Sequence, residues 1–280
     1  MEPIDFKEVD RIMFSCEFNS KREGEQFVPM HVLSSIVSGS MKVTASSGTV
    51  VFNSGDIIVA RANQLAKFEK YPDRDTGIFK AIVLSFDHAL LQDFSAEYMI
   101  MAEEPYTGPD GQVLPPNGLL KDFFKSLLPY FDPANKLNGP LTTLKAKEAL
   151  LLLLRVKPEL KNMLFDFRQP GKINLEEFMQ RNYMFNVPIG RFAQLTGRSL
   201  AAFKRDFKQV FKQPPGKWLQ QRRLQEAHYL ISEKAQRSSD IYLDLGFEDL
   251  SHFSFAFKKL FGINPSDLIA IHSSLTPLLK

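Results

Sequence analysis

Basic residues recur beside a stripe of phenylalanines at two places in the rear part of the chain. Three phenylalanines and one lysine repeat at an interval of fifty residues, in the pairs Phe203/Phe253, Phe207/Phe257, Phe211/Phe261 and Lys208/Lys258. Residues 171–280 hold 16 Lys and Arg against 10 Asp and Glu, whereas the rest of the chain is mildly acidic. Cations concentrated in one part of a chain attract polyanions, so this asymmetry predicts a polyanionic partner. On charge alone, a random scatter of surface charge remains the alternative.

Residues suited to catalytic or metal chemistry are sparse. The single cysteine, Cys16, excludes an intramolecular disulfide framework and a four-cysteine zinc site, and it fits a reducing cytosol. Metal sites need several nitrogen, sulfur or oxygen ligands that converge on one ion. The five histidines are scattered and form no His-x-His pair: His31, His88, His228, His252 and His272. We therefore expect no catalytic residues, no metal and no cofactor, and we expect His31 to be a packed or partly exposed strand residue.

The composition is that of a globular protein. Apolar residues make up 44% of the 280 residues and charged residues 24%, with a formal net charge of +3. The first six residues, Met1 to Phe6, carry acids and no apolar core, so we expect no signal peptide. The longest apolar run, Ala149 to Leu154, is far shorter than the roughly 18 residues that a membrane span needs. We expect a cytoplasmic protein with one large or two ordinary domains.

Short, evenly spaced apolar runs fill the front of the chain. Turn signals such as Ser38-Gly39-Ser40 and Asn53-Ser54-Gly55-Asp56 separate them. The runs predict strands at 10–18, 31–37, 41–44, 49–52, 57–60, 64–69 and 78–86. This spacing is typical of an antiparallel sandwich or small barrel. The order of strands and turns, with Gly39 and Gly55-Asp56, resembles the small β-barrel of the cupin type.

Helical periodicity begins after Pro115-Pro116-Asn117-Gly118. Apolar spacings of three and four residues predict helices at 119–128 and 142–156. The second helix, which includes Leu144 and Leu151, has more apolar surface than one solvent-facing helix can bury, which indicates packing on the barrel, a dimerisation helix, or both. Residues 165–172 read as a linker. We expect three regions: a sensor barrel at 1–115, a helical dimerisation and linker segment at 116–168, and a third domain at 169–280.

The rear repeat has the pattern of two helix-turn-helix units. Each unit predicts a short helix (189–197 and 239–247), a turn at Gly197 or Gly246, and a second helix capped by Ser199 or Asp249. Between the units a long helix is predicted from Pro215 to about Lys234. Its apolar residues face a core, and we expect Arg222 and Arg223 to lie outside it.

These motifs resemble the DNA-binding domain of the AraC/XylS family of bacterial transcription regulators. The resemblance covers about 173–268 and rests on four segments: Phe192-Ala193-x-x-x-Gly197, Arg222-Arg223-Leu224-x-x-Ala227, Gly246-Phe247-Glu248-Asp249-Leu250-Ser251-His252-Phe253 and Phe257-Lys258-Lys259-Leu260-Phe261-Gly262-x-x-Pro265. It implies an α+β multidomain protein: an N-terminal antiparallel cupin-like β-barrel with a helical pair, and a C-terminal all-α domain with two helix-turn-helix motifs.

The resemblance also implies site residues on the two recognition helices, at about 199–212 and 249–261. In the first motif it implies base-facing Ala201, Lys204 and Arg205, with Ser199, Lys208 and Lys212 at phosphates. In the second it implies base-facing Ser251, His252, Ser254 and Phe255, with Lys258 and Lys259 at phosphates. Phe255 stands where family members often carry a basic residue, and it can make only apolar contact, for example with a thymine methyl group.

The function implied is sequence-specific binding of double-stranded DNA in successive major grooves, with regulation or dimerisation assigned to the front half. RNA polymerase is the expected further partner of an activator, and the effector and its binding residues are not identified. Two alternatives remain at this point. One is an enzyme with a cupin-like active site, and the other is a protein-binding module in which DNA binding is secondary.

Overall fold

Alternating apolar residues give the front of the chain a series of short strands, as a computed structural model of the protein shows. The structure describes residues 11–22, 26–135, 137–168 and 171–269, and its contacts divide the chain into two units, Met1–Arg168 and Gln169–Lys280. The strands of the first unit are β1 (Ile12–Glu17), β2 (Lys21–Arg22), β3 (Phe27–Val28), β4 (His31–Ser38), β5 (Ser40–Ala45), β6 (Gly48–Asn53), β7 (Ile57–Ala60), β8 (Gln64–Tyr71), β9 (Phe79–Phe86) and β10 (Gly111–Val113).

The strands pair antiparallel in two sheets. One sheet has the order β1-β9-β4-β7-β10, and the other has the order β2-β8-β5-β6 with β3 also paired to β8. The central strands β4 and β9 are in register from His31 opposite Phe86 to Ile36 opposite Ala81, and the register shifts after Ile36. The expected antiparallel β domain is confirmed, but its strands form two sheets rather than a closed barrel. The sequence does not distinguish these forms because strand order depends on pairings between distant residues.

Helices pack against one face of the sheet β1-β9-β4-β7-β10 in the first unit. They are α1 (His88–Tyr98), α2 (Gly118–Leu127), α3 (Gly139–Val156) and α4 (Lys161–Leu164). Leu120 and Phe124 of α2 and Leu150 and Leu153 of α3 join strand residues such as Ile82 in one hydrophobic core. Burial of these side chains, each contributing roughly 1.5–3 kcal/mol, fixes the helical pair on the sheet.

The sequence predicts a linker at 165–172, and this prediction is wrong at Phe165. Within that range, Gln169 and Pro170 lie outside the described residues. Phe165 is 2% exposed and stacks on Phe94 of α1, with ring centroids 5.8 Å apart. It therefore belongs to the core of the first unit. Helix α1 is absent from the expected elements although Asp87 caps it, accepting a hydrogen bond from the Leu90 amide at 2.8 Å.

The second unit is helical throughout its regular elements. They include α5 (Leu175–Asn182), α6 (Ile189–Leu195), α7 (Leu200–Phe211), α8 (Pro215–Lys234), α9 (Ser238–Ile241) and α10 (Leu250–Phe261). The expected all-α rear domain with a long central helix is confirmed. Helix α8 begins at Pro215, whose fixed φ suits the first helical position and whose missing N–H has no partner to lose there.

Candidate nucleic-acid interface

The first helix-turn-helix motif is formed by α6 and α7. Between them Gly197 has a φ of +66°, a backbone conformation that residues other than glycine rarely adopt. The preceding residue, Thr196, is fully buried. The Thr196 hydroxyl donates within the helix to the Phe192 carbonyl at 2.8 Å. Ser199 caps α7, its Oγ accepting a hydrogen bond from the Ala202 amide at 3.3 Å. The turn and cap together fix the direction in which α7 leaves the motif.

Aromatic packing anchors the inner face of α7. Phe203 and Phe207 are 0% exposed, and their ring centroids lie 5.5 Å apart. Phe211 continues the stripe and packs against Trp218 of α8 with centroids 4.5 Å apart. Residues four apart lie on the same helix face, so this stripe turns the opposite face outward.

The outward face of α7 carries the residues expected to contact nucleic acid. All six of these residues are exposed. Four lie on α7, and the other two are its N-cap and C-cap: Ala201, Lys204, Arg205 and Lys208 on the helix, with Ser199 and Lys212 at its ends. Nζ of each lysine is therefore available to an anion. The Arg205 side chain is 68% exposed and lies 3.3 Å from the Asp206 carboxylate.

The carboxylate of Asp206 is held on its other side by Arg198. Arg198 Nε donates to Asp206 Oδ2 at 3.2 Å, and its Nη1 donates to the Thr196 carbonyl at 2.7 Å. The hydrogen bond from Arg198, aided by the charge of Arg205, lowers the pKa of Asp206 below its ordinary value. Asp206 is thus an anion that neutralises Arg198 and draws Arg205 toward the helix surface.

The second motif is formed by α9 and α10, and its first helix is shorter than expected. A helix was expected at 239–247, but α9 ends at Ile241, and turns continue to Gly246, which has a φ of +82°. Asp249 caps α10, its Oδ1 accepting a hydrogen bond from the His252 amide at 2.7 Å. Phe253 and Phe257 are 0% exposed, as are their counterparts in the first motif.

The outward face of α10 is less basic and more apolar than that of α7. Ser251, His252, Lys258 and Lys259 are exposed, and Phe255 is 69% exposed. Ser254 is half-buried, and its hydroxyl donates to the Leu250 carbonyl at 2.8 Å. That bond occupies the only side-chain donor of Ser254, so its hydroxyl oxygen is left to act as an acceptor.

Helix α8 joins the two motifs, and the position of Arg223 on this helix differs from the sequence prediction. Arg222 is half-buried over the ring of Tyr183, 4.3 Å from its centroid. Arg223, which we expected to lie outside the core, is also half-buried, and its guanidinium donates hydrogen bonds to backbone carbonyls. Burial lowers the pKa of Arg223 to about 10. The spacing could have shown this, because Arg223 is four residues after Leu219 and four before Ala227, and both are buried.

Arg222 contacts a carboxylate as well as the ring of Tyr183. Arg222 Nη1 donates to Glu226 Oε2 at 3.1 Å. Burial raises the pKa of Tyr183 to about 12, and the charge of Arg222 opposes this rise. The phenol therefore stays neutral throughout the physiological pH range.

The histidines lie apart from one another in the part of the chain that is described. Within those residues no group of three or more His, Cys, Asp or Glu could hold a metal ion. His31 is half-buried in β4, as expected of a packed strand residue, and its Nδ1 accepts a hydrogen bond from the Ala62 amide at 3.3 Å. Burial, followed by the charge of Arg61, lowers the pKa of His31 to about 4. His228 packs on Phe261, and His272 lies outside the described residues.

Among the described residues, no helix is both long and apolar enough to cross a membrane.

Two family models match the chain, one in each half. Residues 192–270 match the family described as "Helix-turn-helix domain", and residues 31–163 match the family described as "ExsA N-terminal regulatory domain". The first match includes both capped helices, and the second includes β4 to β10 together with α1, α2 and α3.

Curated proteins with similar sequences bear regulatory names. The virulence regulon transcriptional activator VirF of Yersinia enterocolitica is 33% identical over 129 residues, which are 45% of this chain and 47% of VirF. The HTH-type transcriptional regulator ExsA of Pseudomonas aeruginosa is 30% identical over 129 residues, which are 45% of this chain and 46% of ExsA. The chain thus spans about half the length of the curated relatives it matches.

Solved structures give matches of low TM-score. An apo variant of ToxT from Vibrio cholerae strain SCE256 covers 92% of this chain and 97% of its own, with 12% identity and a TM-score of 0.44. A probable AraC family transcriptional regulator from Rhodopseudomonas palustris covers 35% of this chain and 93% of its own, with 29% identity and a TM-score of 0.32.

Proposed function

Because this chain belongs to the AraC/XylS family of bacterial transcription regulators, we propose that it binds double-stranded DNA in a sequence-specific way and regulates transcription. Helices α7 and α10 are its two recognition helices, and each enters a major groove on successive turns of one duplex. A major groove is about 12 Å wide and admits an α-helix.

The single observation that carries this proposal is the doubled, anchored helix. Each recognition helix buries a phenylalanine pair completely and begins at a side-chain cap, so its opposite face is presented rigidly to solvent. Three of the four lysines proposed to bind phosphate lie on that exposed surface, and the fourth, Lys212, is exposed at the end of α7. A rigid helix with exposed cations matches the geometry of groove binding.

The side chains divide into those that read bases and those that bind phosphate. We assign Ala201, Lys204 and Arg205 of the first motif and Ser251, His252, Ser254 and Phe255 of the second to base edges. We assign Ser199, Lys208, Lys212, Lys258 and Lys259 to phosphates. Arg205 must leave Asp206 to reach a guanine. Because the Arg205 side chain is 68% exposed, its ion pair with Asp206 is weak.

The two motifs differ in how strongly they attract the backbone of DNA. The first has a neutral cap, Ser199, whereas the second has the carboxylate of Asp249 at the same place. A negative charge beside the helix N-terminus repels phosphate. Phe255 also replaces a cation at the position equivalent to Arg205. The first motif is therefore the one that supplies most base reading, and the second adds apolar and backbone contacts.

The first unit serves regulation or self-association. The matched family is described as a regulatory domain, and the exposed Leu144 and Leu151 lie seven residues apart on α3, on one face. We propose that this face pairs with a second copy. The name of VirF includes "transcriptional activator", which supports activation, and hence RNA polymerase as a further partner. This activity requires no cofactor or catalytic group and places the protein in the bacterial cytoplasm.

The test is selection of bound sequences from a random duplex pool, followed by affinity measurements at several salt concentrations. Four phosphate-bound lysines predict that the slope of log affinity against log salt is about −4. Arg205→Ala and Lys204→Ala should each lose about 1–3 kcal/mol and relax the preference at one base position. Lys234→Ala, at the exposed end of α8, is the control and should leave the preference unchanged.

Two outcomes would count against parts of this proposal. Failure of the wild-type chain to bind any duplex, or binding that ignores salt, would reject DNA as the partner. Equal weakening of Arg205→Ala on every sequence would move Arg205 from a base edge to a phosphate.

A further inference from the structure

The guanidinium of Arg223 joins the segment before the first helix-turn-helix motif to the turn of the second motif. Its Nε donates to the Tyr183 carbonyl at 2.7 Å, and its Nη2 donates to the Phe185 carbonyl at 2.8 Å. Both carbonyls lie in the segment between α5 and α6, directly before the first motif. Its Nη1 donates to the carbonyl of Gly246 at 2.8 Å, and Gly246 is in the turn of the second motif. One side chain of the central helix therefore binds the backbone that leads into the first motif and the turn of the second motif.

Backbone approaches the Arg223 side chain closely at the turn of the second motif. A Cβ placed on Gly246 would lie 2.8 Å from the Met184 carbonyl oxygen and 2.9 Å from Arg223 Cζ. Those distances are too short for a real contact, so the approach of Arg223 requires glycine at this turn. Beside it, Asn186 Nδ2 donates to Glu248 Oε1 at 2.7 Å. The segment 183–186 thus contacts the second motif directly as well as through Arg223.

The chemistry of this junction favours a single arrangement. A guanidinium is planar and its N–H groups point in fixed directions, so three carbonyls can satisfy it only when they are held in one relative position. A rotation of the second motif against the segment that leads into the first motif would lengthen at least one of these bonds. It would leave a partly buried cation with an unmade hydrogen bond, and that loss costs more than the loss of an exposed contact.

We propose that Arg223 is a positioning residue that holds the two recognition helices at one separation and one angle, so that both motifs bind a single duplex together. The proposal rests on the proposed function, and it explains why a cation occupies the core face of α8. Two linked binding modules gain affinity only when their geometry permits both to bind at once. Arg223 supplies that geometry without touching DNA.

Arg222 provides a matched control. It is the neighbouring arginine on the same helix, but its contacts are the ring of Tyr183 and the carboxylate of Glu226, which do not involve the second motif. Arg222→Met and Arg223→Met therefore remove the same charge at adjacent positions. Only the second change removes a contact between the segment that leads into the first motif and the turn of the second motif.

The experiment uses the full chain and the duplex obtained by selection, in two forms. One form is intact, and the other has one base pair inserted between the two half-sites. One inserted pair moves the half-sites apart by about 3.4 Å and rotates them by roughly 35°. A rigid pair of motifs cannot follow this change, whereas an uncoupled pair can.

We expect the wild-type chain to lose about 100-fold in affinity on the inserted duplex. Arg223→Met should bind the intact duplex about 10-fold to 100-fold more weakly than wild type, and it should lose less than about 5-fold further on insertion. Arg222→Met should keep the wild-type ratio between the two duplexes. Equal weakening of Arg223→Met on both duplexes, with the wild-type ratio retained, would overturn the proposal.

Two further variants keep the test valid if Arg223→Met does not fold, as judged by circular dichroism. Arg223→Lys keeps the charge but loses the fork, and Gly246→Ala disturbs the same junction from the opposite side. Either one, when folded, should show the reduced sensitivity to insertion. If all three variants are unfolded, Arg223 is a folding residue and the proposal is overturned. Absence of any wild-type binding would instead reject the proposed function.

Discussion

The anchoring of the first recognition helix gives the sharpest single prediction. Phe207 is 0% exposed, and its ring centroid lies 4.3 Å from that of Phe211, 5.5 Å from Phe203 and 5.7 Å from Trp218. Truncation of a fully buried phenylalanine to alanine costs about 3–5 kcal/mol. Each lost aromatic pair adds about 0.5–1.5 kcal/mol beyond buried area, so we expect Phe207→Ala near the upper end of that range.

The chain contains its own reporter for this measurement. Trp218 is its one tryptophan, is 8% exposed and packs against Phe207 and Phe211. Urea unfolding followed by tryptophan fluorescence therefore reports on the first motif, and circular dichroism reports on all helices. We expect the midpoint from fluorescence to fall more than that from circular dichroism, because the first motif is weakened directly and the β unit is not.

Phe255→Ala is the matched control, since it is the same substitution at a phenylalanine that is 69% exposed. Exposed changes of this kind stay within about 0.5 kcal/mol. Phe255→Ala should therefore leave the unfolding free energy nearly unchanged and reduce DNA affinity. If both variants lost the same stability, or if Phe207→Ala cost less than about 1 kcal/mol, the assignment of an inner and an outer face to these helices would be refuted.

Three other predictions concern caps, backbone strain and pH. Ser199→Ala removes the acceptor for the Ala202 amide and should lower the unfolding free energy in urea by about 1 kcal/mol; no change would mean that the cap is unnecessary. Lys212 has a φ of 59°, so Lys212→Gly should raise thermal stability by about 1 kcal/mol and reduce DNA affinity; a loss of stability would contradict this. Because burial holds the pKa of His31 near 4, below its ordinary 6.5, the unfolded chain binds the extra proton first. Stability should be constant above about pH 6.5 and fall by up to about 3 kcal/mol toward pH 4. A His31→Gln variant that falls equally between pH 6.5 and about 5 would exclude His31 as the cause.

The repeated motif could be predicted because its determinants are local. The i, i+4, i+8 phenylalanines fix the buried face of each recognition helix, and the caps Ser199 and Asp249 fix where the helices begin. The same local reasoning gave the seven longer strands and α8. It gave too long a helix at α9 because four helical residues and a run of turns have the same apolar spacing as a helix of nine.

The features that could not be predicted from the sequence depend on contacts between distant residues. The short strands β2, β3 and β10 exist through their partners β8 and β7, and too few of their own residues alternate to mark them. The carbonyl partners of Arg223 are 23 to 40 residues away. The spacing of apolar residues nevertheless places Arg223 on the apolar face of α8. The prediction was wrong because it assumed that an arginine is exposed, as most arginines are.

The central claim is that α7 and α10 occupy successive major grooves on one side of a duplex. Methylation interference at guanine N7, performed on the selected sequence with the full chain, measures this directly. We expect two clusters of interference in the major groove with centres about 10–10.5 base pairs apart, and Arg205→Ala should remove the interference at one guanine of the first cluster. A single cluster, or two clusters on opposite faces of the duplex, would contradict the account.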